Sequence, residues 1–304
     1  MSGSGIPELD AELRLRLRRR FGSAIEAWFD ELPAVLEDLA ERWGIEWDKL
    51  IQRGSMSVVI RCRTAAGHPA VVKLSPERER VAQEAAALAG WRTVHVPSVL
   101  AVDESVGALM IEAIQPGTPL VEMDAYPSLE SIASLLTSLH ENAVPAIPYR
   151  PVADRIANLF ESSTKLYEFK PDLIELISPG LYERSRELAL RLAADAPAAV
   201  LLHGDLTPVN VLDGGTGRGL VAIDPAPCMG DPAFDAIDLL FWRATDAGTI
   251  TARAQQLAPA IQADANRLIE WCTAFAGMVA LEIAERPGGS RELVEPFLVL
   301  ASRI

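Results

Sequence analysis

The sequence predicts an α+β chain in two lobes, the first built on an antiparallel sheet and the second mostly helical. Three observations predict it. Between about residues 51 and 112 the apolar residues fall in short runs of strand length, separated by turn clusters. Beyond Pro119 they recur at helical spacing over longer stretches. Between the two stands Glu112-Ala113-Ile114-Gln115-Pro116-Gly117, whose Pro-Gly pair ends a strand and lets the chain cross over. The expected division is residues 1–113 for the first lobe and 114–304 for the second. A chain of 304 residues is long enough for both.

The start of the chain alternates leucine with a basic cluster, Arg14, Arg16, Arg18, Arg19 and Arg20. No apolar signal core follows it, so no secretion signal is read, and a frayed or solvated helical tail is expected. Phe21, Ile25, Trp28, Phe29, Leu32, Leu36, Leu39 and Trp43 then share one helical face, with Pro33 placed to open a second helix and Gly44 to end it. From Ile51 to Ile60 the pattern is strand, small-residue loop, strand. Residues 64–69 make a turn and 70–74 a third strand. Pro76 leads into a helix over 77–91 rich in Ala and Glu. Runs at 99–102 and 108–111 complete five strands. In the second lobe helices are expected over 131–140, where Ile132, Leu135, Leu136 and Leu139 keep helical spacing, and over 155–167, 181–194 and 252–284.

Lys73 is a lone cation on an apolar strand, a costly place for an ammonium unless it meets an anion. Glu84, mid-helix, can pair with it and hold it towards nucleotide phosphates, whereas Glu77 and Glu79 suit solvated positions at the helix start. A lysine snorkelling from an edge strand is the plain alternative. The loop Gly54-Ser55-Met56-Ser57 can cap phosphates with backbone N–H groups and the hydroxyls of Ser55 and Ser57. Its single glycine departs from G-x-G-x-x-G, and an ordinary hairpin turn would look the same. The backbone from Glu112 to Ile114 is expected to face an adenine, with Met110 and Ile223 as apolar walls.

The most specific stretch is His203-Gly-Asp205-Leu-Thr-Pro-Val-Asn210, followed by Ile223-Asp224-Pro225. Apolar runs at 199–202, 211–212 and 220–223, with a Gly-rich turn at 213–217, read as strand, loop, strand, turn, strand. Asp205 and Asn210 fall in the loop, and Asp224 projects past the last strand. Phosphoryl transfer needs a carboxylate for the acceptor hydroxyl and two oxygen ligands for Mg²⁺, and this spacing supplies them. Any one of these residues alone would pass as a turn former. His203 stands where it can orient the loop. His140 reads as a histidine at a helix C-terminus.

The order Gly54 loop, Lys73, Glu84, His203-Gly-Asp205…Asn210, Asp224, then Gly230-Asp231-Pro232-Ala233-Phe234-Asp235, resembles the aminoglycoside and hydroxyurea antibiotic-resistance kinases. The resemblance extends to Trp28-Phe29-Asp30-Glu31-Leu32-Pro33 and is most specific over 201–240. It implies a protein-kinase-like fold that uses ATP and Mg²⁺. It makes Asp205 the catalytic base, with His203 beside it, and Asn210 and Asp224 the metal ligands. Lys73 becomes the phosphate clamp with Glu84 as its partner. From about residue 252 onward no pattern carries over, so substrate identity is where the resemblance thins.

Composition excludes several classes. Half the residues are apolar and the charged fraction is ordinary, which suits a globular chain, and no apolar run reaches the length of a membrane span. Cys62, Cys228 and Cys272, odd in number and widely spaced, suit a reducing cytoplasm and indicate neither disulfides nor zinc. A net charge of −14 disfavours nucleic acid and suits a cationic substrate. Acidic candidates to contact it are Asp231, Asp235, Asp238, Glu270, Glu282 and Glu285, with Asp235 equally suited to brace the loop from inside. Between Asp224 and Asp235 there is room for only a short connector, and His203-Gly204 lacks an arginine to meet a phosphorylated loop, so a protein substrate is not expected. The expected function is O-phosphorylation of a small cationic compound, an aminocyclitol antibiotic such as streptomycin. The alternatives are a kinase for hydroxyurea, a macrolide or choline, and a catalytically silent nucleotide-binding regulator.

Overall fold

In the computed structural model the described residues are 5–52, 56–286 and 288–304, so Gly54 and Ser55 lie outside the described residues. The chain divides into two units. One holds the described residues up to Gly90 together with Val96–Gly117, the other Trp91–His95 together with Thr118–Ile304.

In the first unit the basic start forms α1 (Ala11–Phe21), capped by Asp10, whose carboxylate accepts from the Leu13 N–H at 2.7 Å. Leu13 and Leu17 are fully buried against Ile25, Phe29, Leu32, Leu36 and Leu39 of α2 (Ile25–Trp43). The expected solvated tail is therefore part of the core. Leucines four apart share one face of a helix while the arginines leave on the other. Arg14 also lies 4.8 Å from the centroid of the Phe29 ring. The break between the helices falls at residues 22–24, and Pro33 sits inside α2 without ending it. Proline forfeits one hydrogen bond there, but the buried face on both sides packs into the same core and outweighs the loss. Gly44 ends α2 in the left-handed conformation, as its place in the sequence predicts.

Strands β1 (Ile45–Ile51), β2 (Val58–Thr64), β3 (Pro69–Leu74), β4 (Val99–Asp103) and β5 (Ala108–Glu112) form one antiparallel sheet in the order β1-β2-β3-β5-β4, with α3 (Arg78–Gly90) after β3. This is the predicted five-stranded sheet. Lys73 lies between Val59 of β2 and Leu109 of β5 on the central strand, which rules out the edge-strand reading.

The second unit is mostly helical. Its elements are α4 (Leu129–Glu141), α5 (Val152–Thr164), the single turns α6 (Leu166–Phe169) and α7 (Leu173–Leu176), and α8 (Pro179–Ala194). Four three-residue strands follow, β6 (Val200–Leu202), β7 (Val211–Asp213), β8 (Leu220–Ala222) and β9 (Cys228–Gly230), then α9 (Ile237–Phe241), α10 (Ala247–Leu257), α11 (Ala265–Glu285) and α12 (Arg291–Ala301). β7 pairs with β8 as the predicted hairpin, while β6 pairs with β9. The helix expected over 252–284 is two helices, divided around Pro259 and a left-handed Gln262. α11 buries Trp271, Cys272, Phe275 and Leu281 and is the unit's apolar axis. Residues 91–95 join this unit through an isolated bridge from Trp91 to Ala143 and through His95, whose ring Nδ1 lies 2.6 Å from the Leu220 carbonyl.

Candidate active site

In the first unit β3 and α3 bring Lys73 and Glu84 together, Nζ to Oε2 at 2.6 Å, with side chains 9% and 2% exposed. A buried ammonium and a buried carboxylate each need such a partner. Ser57 is buried, and Ser75 Oγ donates to the Met56 carbonyl at 2.9 Å, fastening the end of the small-residue loop to β3. Of the three residues predicted to face the adenine, Glu112 donates its N–H to Ser98 and Ala113 donates to Pro69. Met110 and Ile114 are buried.

In the second unit β6 delivers His203 and Gly204 into the loop. Gly204 has φ +76°, and a side chain there would collide with the Ala226 carbonyl and Cys228 Sγ, so only glycine fits. The loop hangs from a buried aspartate. Asp235 accepts the His203 N–H at 2.8 Å and the Gly204 N–H at 2.9 Å, and His140 Nε2 donates to it at 3.1 Å. Burial opposes the charge on Asp235, but the hydrogen bonds from His140 and the Gly204 N–H hold its pKa below the ordinary range. Asp235 thus takes the brace role that the sequence allowed it, and His140 is its partner.

His203 is fully buried. Its Nδ1 accepts the Asp205 N–H at 3.3 Å, which assigns the proton to Nε2, 3.0 Å from the Ile223 carbonyl. Burial depresses its pKa, against the pull of Asp235 and Asp205, so the ring is neutral. The ring of Trp91 stacks on it at 6.2 Å. His203 therefore ties the Asp205 side of the loop to the Asp224 side.

Asp205 is gripped at both oxygens. Asn210 Nδ2 donates to Oδ2 at 3.0 Å and to the Asp205 carbonyl at 2.9 Å, while Arg155 Nη2 donates to Oδ1 at 2.8 Å. The Ile223 N–H donates to the Asn210 carbonyl at 2.8 Å, extending the β7–β8 pairing by one step and setting Asp224 just past it. Asp224 has φ +58°, a left-handed conformation that aspartate tolerates at a cost in free energy.

The donor set fits a hard divalent cation. Asn210 spends both amide hydrogens on Asp205, so its side-chain oxygen Oδ1 is what remains to offer. With the Asp224 carboxylate this makes the sparse oxygen set that Mg²⁺ takes when phosphates and water complete its shell. Among the described residues no group of three or more His, Cys, Asp or Glu forms a closed cage.

Arg155 on α5 was not visible in the sequence, because nothing local links it to a carboxylate fifty residues on. Of the acidic candidates, Asp231 is structural: it is buried and receives Trp271 Nε1 at 2.7 Å and Arg267 Nε at 2.5 Å. Asp238 and Glu282 feel Asp205 directly. Burial, Asp205 and Glu282 push Asp238 up to about 7, with Arg155 opposing. Burial also raises Glu282, which accepts from Ser163 Oγ at 3.1 Å. Glu270 is exposed and takes no part in this group. The three cysteines are free and buried, and among the described residues no helix is long and apolar enough to cross a membrane.

The chain is similar to known kinases and phosphotransferases. The profile of the family described as aminoglycoside/hydroxyurea antibiotic resistance kinase covers residues 42–286. The hydroxyurea phosphotransferase of Kitasatospora aureofaciens is 30% identical over 273 residues, 88% of this chain and 77% of that protein. The streptomycin 6-kinase of Streptomyces griseus is 30% identical over 234 residues, 76% of this chain and 72% of that protein. Among solved structures, a choline kinase from Streptococcus pneumoniae superposes with a TM-score of 0.59 at 15% identity, covering 89% of this chain and 98% of that one.

Proposed function

The chain belongs to the aminoglycoside/hydroxyurea antibiotic resistance kinase family, and from that premise we propose that it is an ATP- and Mg²⁺-dependent O-phosphotransferase. Its acceptor is a hydroxyl of a small cationic compound, an aminocyclitol antibiotic such as streptomycin, and its role is resistance in the cytoplasm. The observation that carries this reading is the gathering of Asp205, Asn210 and Asp224 at one braced loop and hairpin.

Asp205 receives the proton of the acceptor hydroxyl, which sits roughly 3 Å away in the reactive complex. His203 and Asp235 hold the loop that presents it. Asn210 and Asp224 would hold Mg²⁺, whose charge would there offset that of the phosphates. Lys73, kept in place by Glu84, offsets charge on the phosphates that are not transferred. Ile114 supplies the N–H for the adenine edge, since Glu112 and Ala113 have spent theirs. The net charge of −14 and the Asp238–Glu282 group favour a cationic acceptor.

A second reading, hydroxyurea as acceptor, is supported by the relative of that name, which matches the larger share of this chain. The test is ADP release by purified protein with Mg·ATP and streptomycin, a 2-deoxystreptamine aminoglycoside, hydroxyurea, a macrolide, choline or a generic protein, each with Asp205→Ala as control. Streptomycin-dependent release that the variant lacks supports the first reading. Release with hydroxyurea alone selects the second. No release with any acceptor overturns both.

A further inference from the structure

We propose that Arg155 is a positioning residue that fixes the carboxylate plane of Asp205 for attack by the acceptor; the inference rests on the transferase reading above. A carboxylate held at one oxygen still turns about its last torsion, which is broad and soft. Held at both oxygens by donors from separate elements, it is not free to turn. Asn210 holds Oδ2 but belongs to the same loop as Asp205, so it moves when the loop moves. Arg155 holds Oδ1 from α5, outside the loop.

α5 is mounted on the frame from which the loop departs. Pro151 bridges Met229 of β9, and the Met229 N–H donates to the Arg150 carbonyl at 2.9 Å. Val152 presses on Gly230 so closely that a Cβ at Gly230 would lie 2.7 Å from Val152 Cβ. β9 in turn pairs with β6, the strand that ends at Leu202, just before His203. Ile156 and Phe160, fully buried, pin the rest of α5. Base and arginine thus share one support, so their relative position is set by strand pairing and packing.

The use of the guanidinium distinguishes Arg155 from the bracing arginines of the same unit. Arg253 donates to the Leu240 and Trp242 carbonyls, and Arg267 to Asp231 and the Leu192 carbonyl. Arg155 makes no such backbone bonds among the described residues: its Nε is buried without a partner, and its hydrogen bonding is committed to Asp205. With side chains 23% and 37% exposed, the pair has the accessibility of an ion pair that adds little to stability. The same guanidinium offsets the repulsion between Asp205 and Asp238. Phosphoryl transfer through a loose transition state asks the protein chiefly for position and charge. A fork-shaped cation on a rigid helix supplies both.

The experiment compares wild type with Arg155→Lys and Arg155→Met, using whichever acceptor supports turnover, together with crystal structures of wild type and Arg155→Met. Thermal denaturation first establishes that both variants fold. The expected result is a fall in kcat of about 10- to 100-fold for Arg155→Met, with KM for ATP unchanged and partial recovery in Arg155→Lys. A kcat within about twofold of wild type, a rise in kcat, or a loss confined to KM for ATP overturns the proposal. If wild type turns over no acceptor, the transferase reading fails by itself, and the crystal structures decide the positioning claim. Asp205 turned or split between rotamers in Arg155→Met supports it, and an unchanged single orientation overturns it.

Discussion

Lys73 and Asp205 are set in place by different means. Lys73 rides the central strand of a sheet, between Val72 and Leu74, which are fully buried, and meets the Glu84 carboxylate in a dry setting. Asp205 stands on a loop between three-residue strands, too short to position anything alone. Its loop is hung by hydrogen bonds from Asp235, and its side chain is gripped by Asn210 and Arg155. The difference is one of what fails on substitution. Where packing holds a charged pair, losing one partner damages the fold. Where polar braces hold a half-exposed carboxylate, losing the carboxylate damages only the chemistry.

The largest effect tests the second half of that contrast. Asp205→Ala should lower turnover by about 10²- to 10⁴-fold, leave Mg·ATP affinity within a few-fold, and shift stability by less than about 1 kcal/mol in urea unfolding. Wild-type turnover would remove Asp205 as base, and a large stability loss would erase the contrast. Asp224→Ala should instead abolish Mg²⁺-dependent nucleotide binding measured by calorimetry, while binding that persists unaltered removes the metal assignment.

Lys73→Met tests the first half. It leaves Glu84 buried without its ammonium, and a loss of about 3–5 kcal/mol is expected, largely restored in the double variant Lys73→Met/Glu84→Leu, which stays inactive. A double variant no more stable than the single one would mean that the pair is not the source of the loss. Asp235→Ala should cost about 1–3 kcal/mol for each loop N–H it strands and lower activity with it, in chemical denaturation alongside ADP release. Asp235 is the one brace whose loss should show in both assays.

The smallest effect depends on pH. Asp238 has its pKa raised from 3.8 to about 7 in the fold, so its neutral form favours folding. That contribution is complete below pH 3.8 and is lost as the pH rises through about 7. Asp238→Asn should therefore melt a few degrees above wild type at pH 8, with the gap closing towards pH 4. A gap that does not change with pH would place the charge elsewhere.

Much of this was legible without coordinates. The five strands, the helix ending at Gly44 and the β7–β8 hairpin follow from periodicity and turn residues, which report on neighbours a few positions apart, and the Lys73–Glu84 pairing follows from the cost of a lone cation on an apolar strand. The basic start of the chain misled, because arginines outnumber leucines there and only docking against α2 shows which face is buried. Pro33 misled because its rule is local and the packing that overrides it is not.

The sequence by itself determined which residues are proposed for the chemistry: an aspartate, an asparagine and a second aspartate at set spacing on one loop and hairpin, and a lysine on an apolar strand. Tertiary structure alone decided what holds them. Arg155 meets Asp205 across fifty residues, and Asp235 reaches the loop from thirty-two residues beyond His203. Side chains that far apart become neighbours only when strands and helices pack, and no local pattern of residues encodes that approach.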